Sequence, residues 1–242
     1  MNNEQERIYN EIISKYNFEV FQKDEIELGI KSGVDVTIYA KPEFSTYQMG
    51  EIRDGLEHNL DVSIYAKSKY EWQQMCEIKE GLEKGLDVSW YAKPEFDWEQ
   101  MLEIRWGLEE KLNVSVFAKP EFNAEQMSEI GAGLKEGVDV SLYTKPEYTW
   151  EQMNQIRLGL EDNLDVSIYT KAEFNDGQME EIRYGLEDNL DVELYAKSEF
   201  NPLQMREIRI GLVKGLDVGP YLNPSIDYKE MLRIRLKLER TK

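Results

Sequence analysis

Apolar positions recur along this chain with two nested periods. In Tyr91–Val116, YAKPEFDWEQMLEIRWGLEEKLNVSV, Met101, Ile104 and Leu108 fall at i, i+3 and i+7, the narrow apolar stripe of a helix of about three to four turns. The longer period is 26 residues: variant copies of the stretch begin at Tyr39, Tyr65, Tyr91, Phe117, Tyr143, Tyr169, Tyr195 and Tyr221, with a degenerate copy from Ile13. A fixed period of this size predicts a stacked array in place of one or two globular domains. Positions below are counted from the residue that opens each copy.

The seventh position is Ser45, Asp97, Asn123, Thr149, Asn175, Asn201 or Asp227, and the tenth is Gln48, Gln74, Gln100, Gln126, Gln152, Gln178 or Gln204. That pattern predicts a capping box, with Phe96 and Met101 at the spacing of a hydrophobic staple. Glu71 is expected to break the cap in its copy. The helix should stop at the twenty-first position, Gly33, Asn59, Gly85, Gly137, Asn163, Asn189 or Gly215, because these residues tolerate the left-handed conformation; Lys111 is the exception. Asp35, Asp61, Asp87, Asp139, Asp165, Asp191 and Asp217, with Asn113 in the guiding copy, then cap a short second helix that ends before Pro42, Pro94, Pro120 or Pro146.

This predicts an all-α fold, an α-solenoid of long-helix/short-helix repeats. The rival is a leucine-rich-repeat-like α/β horseshoe, since Leu86, Val88 and Trp90 alternate with polar residues as a strand would. Against it, Leu108 and Leu112 are four apart and the downstream Asn of that repeat is missing. The expected layout is one solenoid over 1–242: an N-terminal cap at 1–12, eight repeats over 13–220 and a polar capping half-repeat at 221–242. The fifth copy is unusual in carrying Ser128, Gly131 and Ala132 in place of larger residues. Gly29, Gly55, Gly81, Gly107, Gly133, Gly159, Gly185 and Gly211 lie inside the long helix, where each costs about 1 kcal/mol relative to Ala. The final helix carries Lys237 there. The expected compensation is close packing of the following unit on the helix backbone.

Composition narrows the partners. A net charge of −19 disfavours a surface for nucleic acid or for an anionic membrane. A hydrophobic content of 41 %, strictly placed within the unit, argues against disorder. Cys76 is the sole cysteine, so no intramolecular disulfide forms. With no signal core and no apolar run of spanning length, a soluble cytoplasmic protein is expected.

Candidate chemistry is sparse, and neither catalytic residues, nor a metal site, nor a cofactor is predicted. His58, near a helix C-terminus, and Cys76, with no histidine nearby, read as surface groups. Gly131–Gly137 lacks the spacing of a dinucleotide fingerprint and follows no strand. Asn59–Ser63 lacks the glycine and closing glutamate of a calcium loop. The row Glu51, Glu77, Glu103, Glu129, Glu181 and Glu207 reads as structural pairing with the arginines two positions on. The variable positions say more. Opposite the core stripe, the twelfth and sixteenth positions bring Leu102, Trp106, Leu158, Tyr184 and Ile210, and the eighth brings Trp72, Trp98 and Trp150. An apolar and aromatic patch of that kind marks a partner-binding surface unless flanking loops cover it.

The motif Y-A-K-P-E-F-x-x-x-Q-M-x-E-I-R-x-G-L-E-x-x-L-D-V-S, repeated over residues 13–242, resembles uncharacterised repeat proteins of anaerobic gut-type bacteria and their mobile elements. The resemblance brings no agreed activity. The expected function is a non-enzymatic scaffold binding a protein partner, or self-associating, through its variable face. The alternative is an acidic nucleic-acid mimic inhibiting a host defence nuclease, of anti-CRISPR or antirestriction type. Roughly one net charge per 5 Å of stacked helices, against one per about 1.7 Å of duplex DNA, argues against simple mimicry.

Overall fold

The computed structural model describes residues 1–241, and every regular element among them is helical. The long helices are α1 (Asn3–Lys15), α2 (Val20–Ser32), α3 (Thr46–Glu57), α4 (Trp72–Glu83), α5 (Trp98–Glu109), α6 (Ala124–Glu136), α7 (Trp150–Glu161), α8 (Asp176–Glu187), α9 (Pro202–Val213) and α10 (Tyr228–Thr241). From α2 onward, each pair of neighbours is joined through one three-residue 3₁₀ turn. The strand alternative at Leu86–Trp90 is overturned. Val88–Trp90 forms a 3₁₀ turn whose Asp87 carboxylate accepts the Ser89 N–H at 3.1 Å. The Tyr91 and Ala92 N–H groups both return to the Val88 carbonyl, at 3.0 and 2.8 Å, which satisfies the backbone locally and leaves no ladder to form.

The chain divides into two compact units, Met1–Met127 and Ser128–Lys242, with the division inside α6. In the first unit α1 packs on α2, α2 on α3, α3 on α4 and α4 on α5; in the second α7 packs on α8, α8 on α9 and α9 on α10.

Helices α1 to α9 each start at a capping box. Asp97 accepts the Gln100 N–H at 2.7 Å while Gln100 Oε1 accepts the Asp97 N–H at 2.8 Å. Glu71 does not abolish this: its N–H still donates to Gln74 Oε1 at 2.7 Å. The glutamines do more than cap. Their buried Nε2 groups donate to the main-chain carbonyl at the sixth position of the next copy, Gln22 to Phe44 at 2.7 Å, Gln100 to Phe122 at 2.6 Å and Gln152 to Phe174 at 2.6 Å. Helices end in left-handed residues: Gly33 at φ 82°, Asn59 at 59°, Asn163 at 57° and also Lys111 at 60°.

The core sits between successive helices. In each complete copy the opening Tyr or Phe, the Met and the Ile of the stripe are fully buried, each contributing roughly 1.5–3 kcal/mol of apolar burial. The stripe's Leu is only half buried; the helix turns the preceding glycine inward instead. A Cβ on Gly159 would stand 1.9 Å from the Tyr169 hydroxyl and 2.9 Å from Val166 Cγ1. The close approach expected from the following unit is therefore made by that unit's opening ring, whose hydroxyl donates to the Gln155 carbonyl at 3.2 Å.

Candidate partner-binding faces

In the first unit, Trp72 is 40 % exposed on the first turn of α4. Trp98, Leu102 and Trp106, all on α5, are half-exposed. In the second unit, Trp150 opens α7 at 41 % exposure, and Leu158 on α7, Tyr184 on α8 and Ile210 on α9 are half-exposed. None of the eight is withdrawn into the core. Tyr184 is held by two cations: the Arg183 and Arg209 guanidinium carbons lie 4.6 and 5.2 Å from its ring centroid, and its hydroxyl meets Glu180 Oε1 at 3.1 Å. The phenol therefore presents a fixed, partly wetted edge.

The most exposed rings were not among those singled out from the sequence. Phe21 and Tyr47, at the ninth position of the first two copies, are each 69 % exposed, and Val20 beside Phe21 is 70 % exposed. Phe21 and Tyr47 flank a groove of about 620 Å³ lined also by Pro42 and Phe44. The Tyr47 ring in turn meets Trp72 with centroids 5.6 Å apart. The ninth position adjoins the eighth, where Trp72, Trp98 and Trp150 stand.

Charged groups beside these faces form a ladder between copies. The Arg at the fifteenth position pairs with the Glu at the thirteenth position of the preceding copy, 28 residues back: Arg53 with Glu25 at 2.9 Å, Arg105 with Glu77 at 2.8 Å, Arg157 with Glu129 at 2.8 Å, Arg209 with Glu181 at 2.8 Å. Pairing two positions on within one copy is thus corrected to pairing across the joint. Arg53, Arg105 and Arg157 also hold a Glu four residues on, Arg53 with Glu57 at 2.8 Å and Arg157 with Glu161 at 2.5 Å. Glu57 is held below the usual carboxylate range by the Ser32 hydroxyl and then Arg53. For Glu77, burial outweighs Arg105 and pushes the carboxyl up.

His58 is exposed, its Nδ1 2.9 Å from the Asp54 carbonyl. One ligand atom each from Asp54, His58 and Glu83 lie within 4.8 Å of one another. The Lys79 ammonium already sits on the Asp54 carboxylate and on Glu51, so the cluster carries its own cation. Cys76 is half-buried where a surface thiol was expected. Burial and then Glu51 push its thiol up to about 11, the opposite of an activated nucleophile.

No family model, curated protein or solved structure matches this chain. Among the described residues, no helix is long and apolar enough to cross a membrane.

Proposed function

We propose that this chain is a non-enzymatic repeat scaffold that binds a protein partner, or a second copy of itself, through the variable helix faces of its units. One observation carries the reading: the side chains that differ between copies stand half-exposed, whereas the Met, Ile and opening ring of every complete copy are fully buried and nearly identical. A fixed frame with a specialised surface has that distribution. Rigid aromatic anchors such as Trp106 and Tyr184 are the residue types that dominate interfaces, each worth about 2 kcal/mol or more when buried.

The acidic-mimic alternative rests on the net charge of −19. The ladder arginines engage Glu25, Glu77, Glu129 and Glu181, so cations interrupt that row of carboxylates, which favours the apolar reading. The double variant Trp106→Ala/Tyr184→Ala tests it. Helicity and melting should stay near those of the parent while self-association in sedimentation, or capture of a partner, weakens. Unfolding of the variant would return these side chains to the core, and full retention of every interaction would move the binding face elsewhere. Capture that collapses with salt yet ignores both substitutions would assign the protein to charge-driven mimicry, since salt screens charge and not apolar burial.

A further inference from the structure

We propose that the outer face of α10 is keyed to refuse another copy of the repeat. The joint between α8 and α9 shows what acceptance requires. Gln178 Nε2 donates to the Phe200 carbonyl at 2.7 Å, Glu181 Oε2 receives Arg209 Nε at 2.8 Å, and Gly185 leaves room for Tyr195, whose hydroxyl would lie 1.9 Å from a Cβ there. The same three positions act between α3 and α4, except that Lys79 replaces the arginine: Gln48 reaches the Tyr70 carbonyl at 2.5 Å, Lys79 reaches Glu51 at 2.9 Å, and Tyr65 fills the notch at Gly55.

In α10 all three positions are altered, each in the direction that blocks the next copy. Glu230 stands at the tenth position and has no amide hydrogen to give a carbonyl. Arg233, its side chain 75 % exposed and paired within α10 to Glu230 at 2.9 Å, stands at the thirteenth, where an incoming arginine would meet a like charge in place of the carboxylate that receives it at the other joints. Lys237 stands at the seventeenth and puts a long side chain where the opening ring would enter. The face that α10 turns back to α9 is unaltered: Arg235 still donates to Glu207 at 2.7 Å. The first copy shows the converse on α2. Glu27 replaces the arginine of later copies, and in place of a preceding repeat α1 lies against α2 with Gln5 Nε2 on the Ile30 carbonyl at 3.1 Å. Whatever lies against α10 is therefore something other than a repeat seated by this joint.

The test completes the last copy after Lys242 with the sequence of Asp191–Leu194 and adds one further copy of Tyr195–Pro220, on two backgrounds: native α10, and Glu230→Gln/Arg233→Glu/Lys237→Gly. Hydrogen exchange should show the added helix protected at least tenfold more on the reverted background. Equal protection on both backgrounds, or none on either, overturns the proposal, because the three positions would then not decide docking. The reciprocal variant, Gln178→Glu/Glu181→Arg/Gly185→Lys, is read in the original chain. Protection should fall in α9 and α10 and persist in α3 and α4; unchanged protection in α9 also overturns it.

Discussion

Gln74 accepts the Glu71 N–H at 2.7 Å and donates to the Phe96 carbonyl at 2.5 Å, so both ends of one buried amide are spoken for. Glutamate would serve the cap but leave a carboxylate against a carbonyl oxygen. Gln74→Glu should therefore cost about 2–3 kcal/mol near neutral pH. The new carboxyl would have a folded-state pKa above its unfolded value, so part of the loss should return as pH falls through the carboxyl range. Denaturant unfolding at two pH values checks this, and a variant as stable as the parent would refute it. Lys111, at φ 60°, occupies a conformation that glycine and asparagine fill in the other copies. Lys111→Gly should raise stability by about 1 kcal/mol, read as a higher urea midpoint. The capping half of the glutamine was legible because it lies three residues away in the same copy. The other half ends on a main-chain carbonyl 22 residues on, and a carbonyl has no residue-type signature. The Glu and Arg two apart misled for a related reason: on a helix i and i+2 face different ways, which sends the guanidinium to the neighbouring helix.

At the scale of the element, the in-helix glycines and the lysine at the equivalent place in α10 announced close packing; which group makes the contact was not readable. It is the phenol ten residues on, pinned by its hydroxyl, and that pin predicts a graded response. Gly159→Ala should destabilise by about 1–3 kcal/mol, because Tyr169 must give up the Gln155 carbonyl to move. Gly107→Ala should cost less, since Phe117 presents only a ring carbon, 2.7 Å from the added Cβ, with no hydrogen bond to lose. Lys237→Leu should be nearly neutral. Denaturant midpoints in that order support the account; equal effects at Gly159 and Lys237 dispose of it. The short element was legible from its Asp cap, while the alternation that suggested a strand arises because successive residues of a tight turn also point to different sides.

Across the whole molecule the same phenols make a titration. Burial pushes Tyr39, Tyr65, Tyr91, Tyr143, Tyr169 and Tyr195 well above the ordinary tyrosine value, and Tyr221 up to about 12. A folded-state pKa raised above the unfolded one gives stability that is intact below about pH 10 and drains away as pH rises past it, by up to about 1.4 kcal/mol per unit for each ring. Phenolate absorbance from these rings should thus appear together with loss of helical dichroism between about pH 10 and 12; ionisation with the helices intact would refute it. The fold class was plain from the 26-residue period. The exposed Phe21 and Tyr47 were not, because the ninth position carries polar residues in the copies that follow, Gln73, Glu99, Glu125 and Glu151. The split of every joint between two copies also bears on how such a chain changes length. Excising Tyr169–Leu194 would set Gln152 before the Phe200 carbonyl, Arg209 before Gln155 and Tyr195 over Gly159, so every severed bond finds an equivalent partner. Starting the cut at Asn175 or at Gly185 gives the same result. Recombination between misaligned repeats could then lengthen or shorten the gene in steps of one period from any breakpoint, without a matched pair of edits at the seam.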